Sequence, residues 1–348
     1  MSLAITVYFI EDLLPLILLA VFCSFIPFVN PPQIQFGIRI GPEFGSSNII
    51  KALKYEYSFI DIVGISSMVI VLTNILGPSI FVVLLGIPLF LAFSLLLYEV
   101  FRFRARNVKK LIGIYKENYF ATAVFFQAHV KVKKWLTIIP WFPILVPLIA
   151  GVLDIFHFRI VFSNPAFSAS LWAIILTTII IEGIAFLVLG VSPFQNSESP
   201  VKNALQMSEF NRVNFYLLIF LSTAVNLNVI LSNYFLLGAS NGNYIYADLF
   251  VPSFLLLVII GIGMRYGQVG WKLFPQARES KSGKSSNDDD NFWKFGIFYY
   301  NHNDPSIMVP KRFGFGYTLN FANPLSLLMI SSILLGIGFY SLFVSGIL

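Results

Sequence analysis

Glu182 is the residue best placed to do chemistry. It stands in Ile179-Ile180-Ile181-Glu182-Gly183, midway along an apolar run from Ala169 to Pro193. At the centre of a membrane helix an ionised carboxylate costs roughly 2.5–3.5 kcal/mol on insertion scales. No Lys, Arg or His lies at matching depth in another apolar run. The carboxyl is therefore expected to be protonated, or hydrogen-bonded to neutral groups. The candidates are Asn226, Asn228 and Asn74, with Thr177 and Thr178 one turn away. Two readings follow: a proton or cation site, or an interhelical hydrogen bond that fixes packing. Other acids stand near the ends of the apolar runs, and Asp61 is set apart because it lies just inside one.

A second concentration of chemistry-bearing residues runs from Asp288 to Pro324. It holds Trp293, Lys294, Gly296, Tyr299, Tyr300 and Asn301, then Asp304-Pro305, then Lys311, Arg312, Gly314, Gly316 and Asn320. Asn301-His302-Asn303-Asp304-Pro305 is turn chemistry, because Asn and Asp side chains bond their own backbone. Gly296–Tyr300 and Ile307–Val309 read as short strands on either side of it, which predicts a compact hairpin. Gly314 and Gly316 permit a close backbone path. Ten aromatic side chains carry too much apolar area to stay in water, so the segment is expected to be ordered and to pack on helix ends, on the loop at Phe36, Gly37, Arg39 and Pro42, or on lipid headgroups.

Enzyme signatures are mostly missing. His129, His157 and His302 show no metal-ligand spacing. Gly283-Lys284-Ser285 resembles the tail of a phosphate loop, but Arg278 stands where the first glycine belongs. The single Cys23 excludes a disulfide within the chain. Neither a cofactor nor a metal is expected, and the reading leans away from an enzyme.

These residues must be positioned by membrane helices. Of 348 residues 57% are hydrophobic and 11% charged, against about 25% charged in a soluble domain; mean hydropathy is +0.79. The runs are continuously apolar, as helices in lipid require. Eight spans are expected: Val7–Val29, Phe59–Leu76, Ile80–Val100, Trp135–Leu153, Ala169–Pro193, Phe215–Gly238, Leu249–Met264 and Leu325–Ile347. Pro140, Pro143 and Pro147 predict kinks in the fourth. With these spans, every one of the 23 Lys and Arg residues except Arg159 falls on one side. Positive-inside bias makes that side cytoplasmic and puts both termini outside. The net charge of +6 is then a topology signal plus contact with anionic headgroups, not a nucleic-acid surface. Leu111–Val130 reads as an interfacial helix.

The Asp288–Pro324 pattern, Trp-Lys-x-Gly-x-Phe-Tyr-Tyr-Asn, then Asp-Pro, then Lys-Arg-x-Gly-x-Gly-x-Thr-Leu-Asn-Phe, resembles a short domain of unknown function in prokaryotic multi-span membrane proteins. Phe36–Glu43 resembles a second element that often accompanies it, whose relatives include immunity and signalling proteins for a sporulation-associated toxin. Gly41 before Pro42 departs from its common form. The resemblance implies a prokaryotic plasma-membrane protein and supplies no activity.

The expected architecture is an all-α polytopic membrane protein of about eight helices with a small cytoplasmic hairpin-like motif between the last two. Residues 1–277 form seven helices with cytoplasmic loops at 30–58, 101–134 and 194–214; 278–287 is a flexible linker; 288–324 is the aromatic motif; 325–348 is the last helix. The leading function is binding of a partner or ligand, such as another membrane or cytoplasmic protein, through the motif-bearing cytoplasmic loops, of immunity or signalling type. The alternatives are a proton- or cation-coupled transporter using Glu182, and third an intramembrane lipid-modifying enzyme. Beyond such a protein the expected partner is the lipid bilayer.

Overall fold

The computed structural model describes residues 2–40, 42–77, 80–111, 130–145, 149, 165–191, 200–238, 244–273 and 290–331. The chain divides into two compact units. In the first, α1 (Ser2–Val29), α3 (Asn48–Leu76) and α4 (Ile80–Leu111) pack on one another. Ser47 caps α3 by accepting the Ile50 amide at 3.4 Å, which satisfies one of the donors a helix start leaves open. Leu16, Ala20, Ile65, Val82 and Phe90 form the bundle core. A side chain at Gly64 would run into the Phe93 ring, so glycine sets the close approach of α3 to α4. Phe59 and Ile75 of α3 and Leu96, Val100 and Phe103 of α4 are exposed, as faces solvated by lipid are.

Between α1 and α3 lie a hairpin, β1 (Ile34–Gln35) with β2 (Ile38–Arg39), and the single turn α2 (Pro42–Gly45). Two further hairpins belong to this unit: β3 (Trp293–Lys294) with β4 (Phe298–Tyr299), and β5 (Met308–Pro310) with β6 (Tyr317–Leu319).

The second unit contains a 3-10 helix at Lys134–Trp141 and α5 (Pro165–Leu189), and it takes in most of α6 (Pro200–Gly238) and the start of α7 (Tyr244–Tyr266). Ile144, Ile174 and Ile230 form one core, and Ala185, Phe215 and Ile219 another.

Among the described residues four helices are long and apolar enough to cross a membrane: Asn48–Leu76, Leu85–Leu111, Ala204–Leu231 and Val251–Gly270. Leu16–Val29 of α1 and Ile174–Leu189 of α5 are further apolar stretches. These are the helices of a membrane protein. They run past the apolar cores that mark them in sequence. α3 starts at Asn48, not Phe59, and α4 continues through Phe101–Arg106 to Leu111, because Lys and Arg are good helix formers and reach water by their long stems. The expected fourth span opens as a 3-10 helix, with Pro140 inside it. Residues 146–148 and 150–153 at its end, residues 112–129 of the interfacial helix expected over Leu111–Val130, the linker at 278–287 and the last helix beyond Ser331 lie outside the described residues.

Candidate functional site

The aromatic motif folds differently from the single hairpin expected of it. Gly296–Tyr300 does not pair across the Asp-Pro turn with Ile307–Val309. Phe295 and Gly296 take left-handed conformations, φ 52° and 72°, and close β4 back onto β3. The Asn301–Pro305 turn is instead a crossover between two hairpins, tied by a parallel bridge from Tyr299 to Asn320. Phe36 and Gly37 repeat the same pair of conformations, φ 49° and 73°, between β1 and β2. Both tips read Phe-Gly-Ile, and they touch: a Cβ on Gly37 would lie 3.1 Å from Gly296 Cα. Either substitution would also run into the Tyr98 hydroxyl, which donates to Phe36 O at 3.2 Å.

An aromatic floor supports the junction. Phe36, Tyr57, Tyr98, Phe101 and Phe313 belong to one buried cluster, with Tyr98 and Phe313 at 4.1 Å and Phe36 and Tyr57 at 5.6 Å between ring centroids. Ions lock it. The Asp290 carboxylate takes Lys109 of α4 at 2.6 Å and Arg312 on its other oxygen. The Arg312 side chain is fully buried and lies over the Trp293 ring, 5.1 Å from its centroid. Arg102 donates to Trp293 O at 3.4 Å and pairs with Glu99 at 3.2 Å. Burial raises the Asp290 carboxyl, but Arg312 and Lys109 outweigh it and hold it below the usual carboxylate range. Burial, with Arg312 as a like charge, presses Arg39 down to about 10, partly opposed by Asp290. Burial also lowers Lys311.

The polar residues of the motif are spent on one another. Tyr299 Oη donates to Asp304 Oδ2 at 2.9 Å and accepts from Asn301 Nδ2 at 3.0 Å. Asn320 Nδ2 donates to Asn301 O and Asp304 O, both at 2.9 Å, while its Oδ1 accepts the Asn301 amide at 3.1 Å. Asn301 Oδ1 takes the Asn303 amide, and Asp304 Oδ1 takes the Ser306 amide. Pro305 is exposed. Gly314 donates its amide to Asn30 Oδ1 at 3.0 Å. Gln268 bonds Lys311 O, Gly316 O and Gly316 N at 2.7–2.8 Å.

What stays outside is a small face on β3–β4. In the β3–β4 register, Trp293 and Tyr299 pair inward while Lys294 and Phe298 pair outward. Phe295, Phe298 and Tyr300 are 63%, 45% and 42% exposed. Tyr300 Oη meets His302 Nε2 at 3.0 Å, and both side chains are exposed.

In the second unit Glu182 is half-buried. Its Oε1 accepts from Trp141 Nε1 at 3.1 Å. Asn226 is buried and donates to Pro140 O and to Thr178 Oγ1, both at 2.8 Å. Asn228 is half-buried. The structure therefore brings Asn226 to the turn before Glu182 on α5. Asn74 is exposed on α3 and returns its amide to Ile70 O.

Sequence reasoning missed Trp141, Gln268, Asn30 and Tyr98. Gly267-Gln268-Val269-Gly270 carried a signal, a polar residue between glycines just past an apolar run. Tyr98 carried none. Among the described residues no group of three or more His, Cys, Asp and Glu could hold a metal.

Residues 302–327 match a family of unknown function, DUF5808. The match spans β5–β6 and the start of the helix that follows, and it fits an uncharacterised domain at that place. No curated protein and no solved structure matches the chain.

Proposed function

We propose that the chain is a plasma-membrane protein crossing the bilayer eight times with both termini outside, and that its three hairpins face the cytoplasm and bind a protein partner. The observation that carries this reading is the division of the motif. Tyr299, Asn301, Asp304, Asn320 and Arg312 are turned inward, whereas Lys294, Phe295, Phe298, Tyr300 and His302 stand together outside. Such an aromatic and cationic set is the composition of interface hot spots. The family resemblance adds signalling or immunity as the setting. A photo-crosslinking residue at position 295, activated in cells, should yield a protein adduct that is lost with Phe298→Glu. Adducts to lipid alone would sink the reading.

A second reading is a proton- or cation-coupled transporter. It is favoured by the broken 3-10 segment that delivers Trp141 to Glu182 and Pro140 O to Asn226, since transporters build sites where helices are interrupted. Liposomes with a pH dye would separate it: equal proton flux from wild type and Glu182→Gln, or none from either, rejects the coupling.

A further inference from the structure

Asp61 stands in the middle of the α1–α3–α4 bundle, fully buried. Ser94 Oγ of α4 donates to its Oδ1 at 2.8 Å. Its Oδ2 is buried and has no hydrogen-bond partner among the described residues. The titratable groups that face it are Cys23 from α1 and Tyr57 from α3, with Tyr98 of α4 beside Tyr57. All are neutral at pH 7 in their ordinary forms. The next charged groups along α3 and α4 are engaged elsewhere: Glu56 with Arg104 at 2.6 Å, Glu99 with Arg102 at 3.2 Å, and Lys54 over the Phe28 ring. Among the described residues no cation compensates a charge on Asp61, and a buried carboxylate with one neutral donor is strongly disfavoured.

The way in from the helix ends is closed by aromatic rings. Tyr57 lies one turn from Asp61 on α3, and Tyr98 one turn from Ser94 on α4. Phe36 and Phe313 lie over them at 5.6 and 4.1 Å. Those two rings belong to β1–β2 and to the loop between β5 and β6, which the Lys109–Asp290–Arg312 ions hold in place. The contacts that dock the hairpins are thus the contacts that keep water from Asp61.

We infer that Asp61 is a proton-binding site. It carries a proton on Oδ2 while the hairpins are docked and releases it to water when they lift. The O–H bond breaks heterolytically, the carboxylate keeps the electron pair, and water takes the proton. Coupling is reciprocal, so a ligand that holds the hairpins down also holds the proton, and ionisation of Asp61 favours undocking. This goes beyond the partner-binding reading and stands without it.

The test is infrared spectroscopy of the full-length protein in lipid nanodiscs. The difference between wild type and Asp61→Asn should contain the carbonyl band of a protonated carboxylic acid at neutral pH. Ser94→Ala, which removes the one hydrogen bond, should shift that band without abolishing it, and so identifies it even where Asp61→Asn does not fold. Arg312→Met, which frees the hairpins, should make the band disappear at a pH about one unit or more lower than in wild type. A band insensitive to both Asp61→Asn and Ser94→Ala, or none at neutral pH, overturns the site. Loss at the same pH in Arg312→Met and wild type overturns the coupling.

Discussion

The hairpin junction of the first unit and the Glu182 surroundings of the second treat polar side chains in opposite ways. At the junction, Asn301, Asp304 and Asn320 make several bonds each, to one another and to backbone. Asp290 is shared between two cations. Glu182 is half-buried and, among the described residues, takes one bond from one indole. The difference teaches how to read a dense motif. Where many polar residues crowd a short stretch, they can satisfy each other, and the pattern then specifies a fold. The residues left for other molecules are those with fewer internal bonds: the outer face of β3–β4 and, in the second unit, Glu182.

The largest test of that contrast is Arg312→Met. Removing one partner of a buried ion pair costs about 3–5 kcal/mol, because the other charge stays behind. Amide exchange in β3–β6 should accelerate accordingly while α5 keeps its protection, since exchange reports local opening. Equal loss of protection in α5 would mean that the junction is not a local unit. The same ions set an acid limb. Because Asp290 is held below its ordinary value when folded, its contribution is present above the unfolded carboxylate range and is lost as pH falls through the lower folded value. Thermal unfolding of wild type should therefore weaken in that acid window. Asp290→Asn should start less stable at neutral pH and show a flatter acid limb; an unchanged limb would shift the credit to other carboxylates.

Next in size is a pair of glycine substitutions. Gly296→Ala places a side chain on a backbone at φ 72°, against the Tyr98 hydroxyl. Backbone strain and overpacking each cost about 1–3 kcal/mol. Gly183→Ala, beside Glu182, meets nothing within 4 Å and should be neutral or stabilising by up to about 1 kcal/mol, as alanine in a helix is. Unfolding in lipid or mild detergent measures both. A tolerated Gly296→Ala would show that the two Phe-Gly tips do not need their contact.

Much of the helical architecture was legible because lipid imposes one rule on a whole segment: continuous apolarity. The extended starts of α3 and α6 were not, since a helix crossing from lipid into water loses its apolar signature but not its hydrogen bonds. The motif was legible as ordered, for its rings, yet its pairing was misread. Asn301-His302-Asn303-Asp304-Pro305 has turn chemistry, but a hairpin needs its partners to be neighbours, and Phe295-Gly296 had already closed β4 onto β3. Long-range partners were invisible for a different reason. Gln268 meets Lys311 and Gly316, and Asn30 meets Gly314, across separations that local pattern does not encode. Glu182 stood out as the odd residue of its run, whereas Trp141 was one aromatic among many.

The smallest expected effect is Trp141→Phe. The ring is kept and only the indole N–H to Glu182 Oε1 is lost. A single hydrogen bond of this kind contributes about 0.5–1.5 kcal/mol. Because Glu182 is half-buried, solvent or headgroups can replace part of the loss, which favours the lower end. A double-mutant cycle with Glu182→Met, which removes the acceptor, isolates the contact. A coupling in that range would mean that the broken 3-10 segment positions the carboxyl, as a coupled site requires. A coupling near zero would mean that the indole and the carboxyl are neighbours without being partners. The remaining order on that side of Glu182 would then come from Asn226, which joins Pro140 O to Thr178 at 2.8 Å and does not touch the acid. An effect as large as that of Arg312→Met would reverse the contrast between the two units, because a sparsely bonded carboxyl would then be holding its unit together as firmly as a saturated network holds the other.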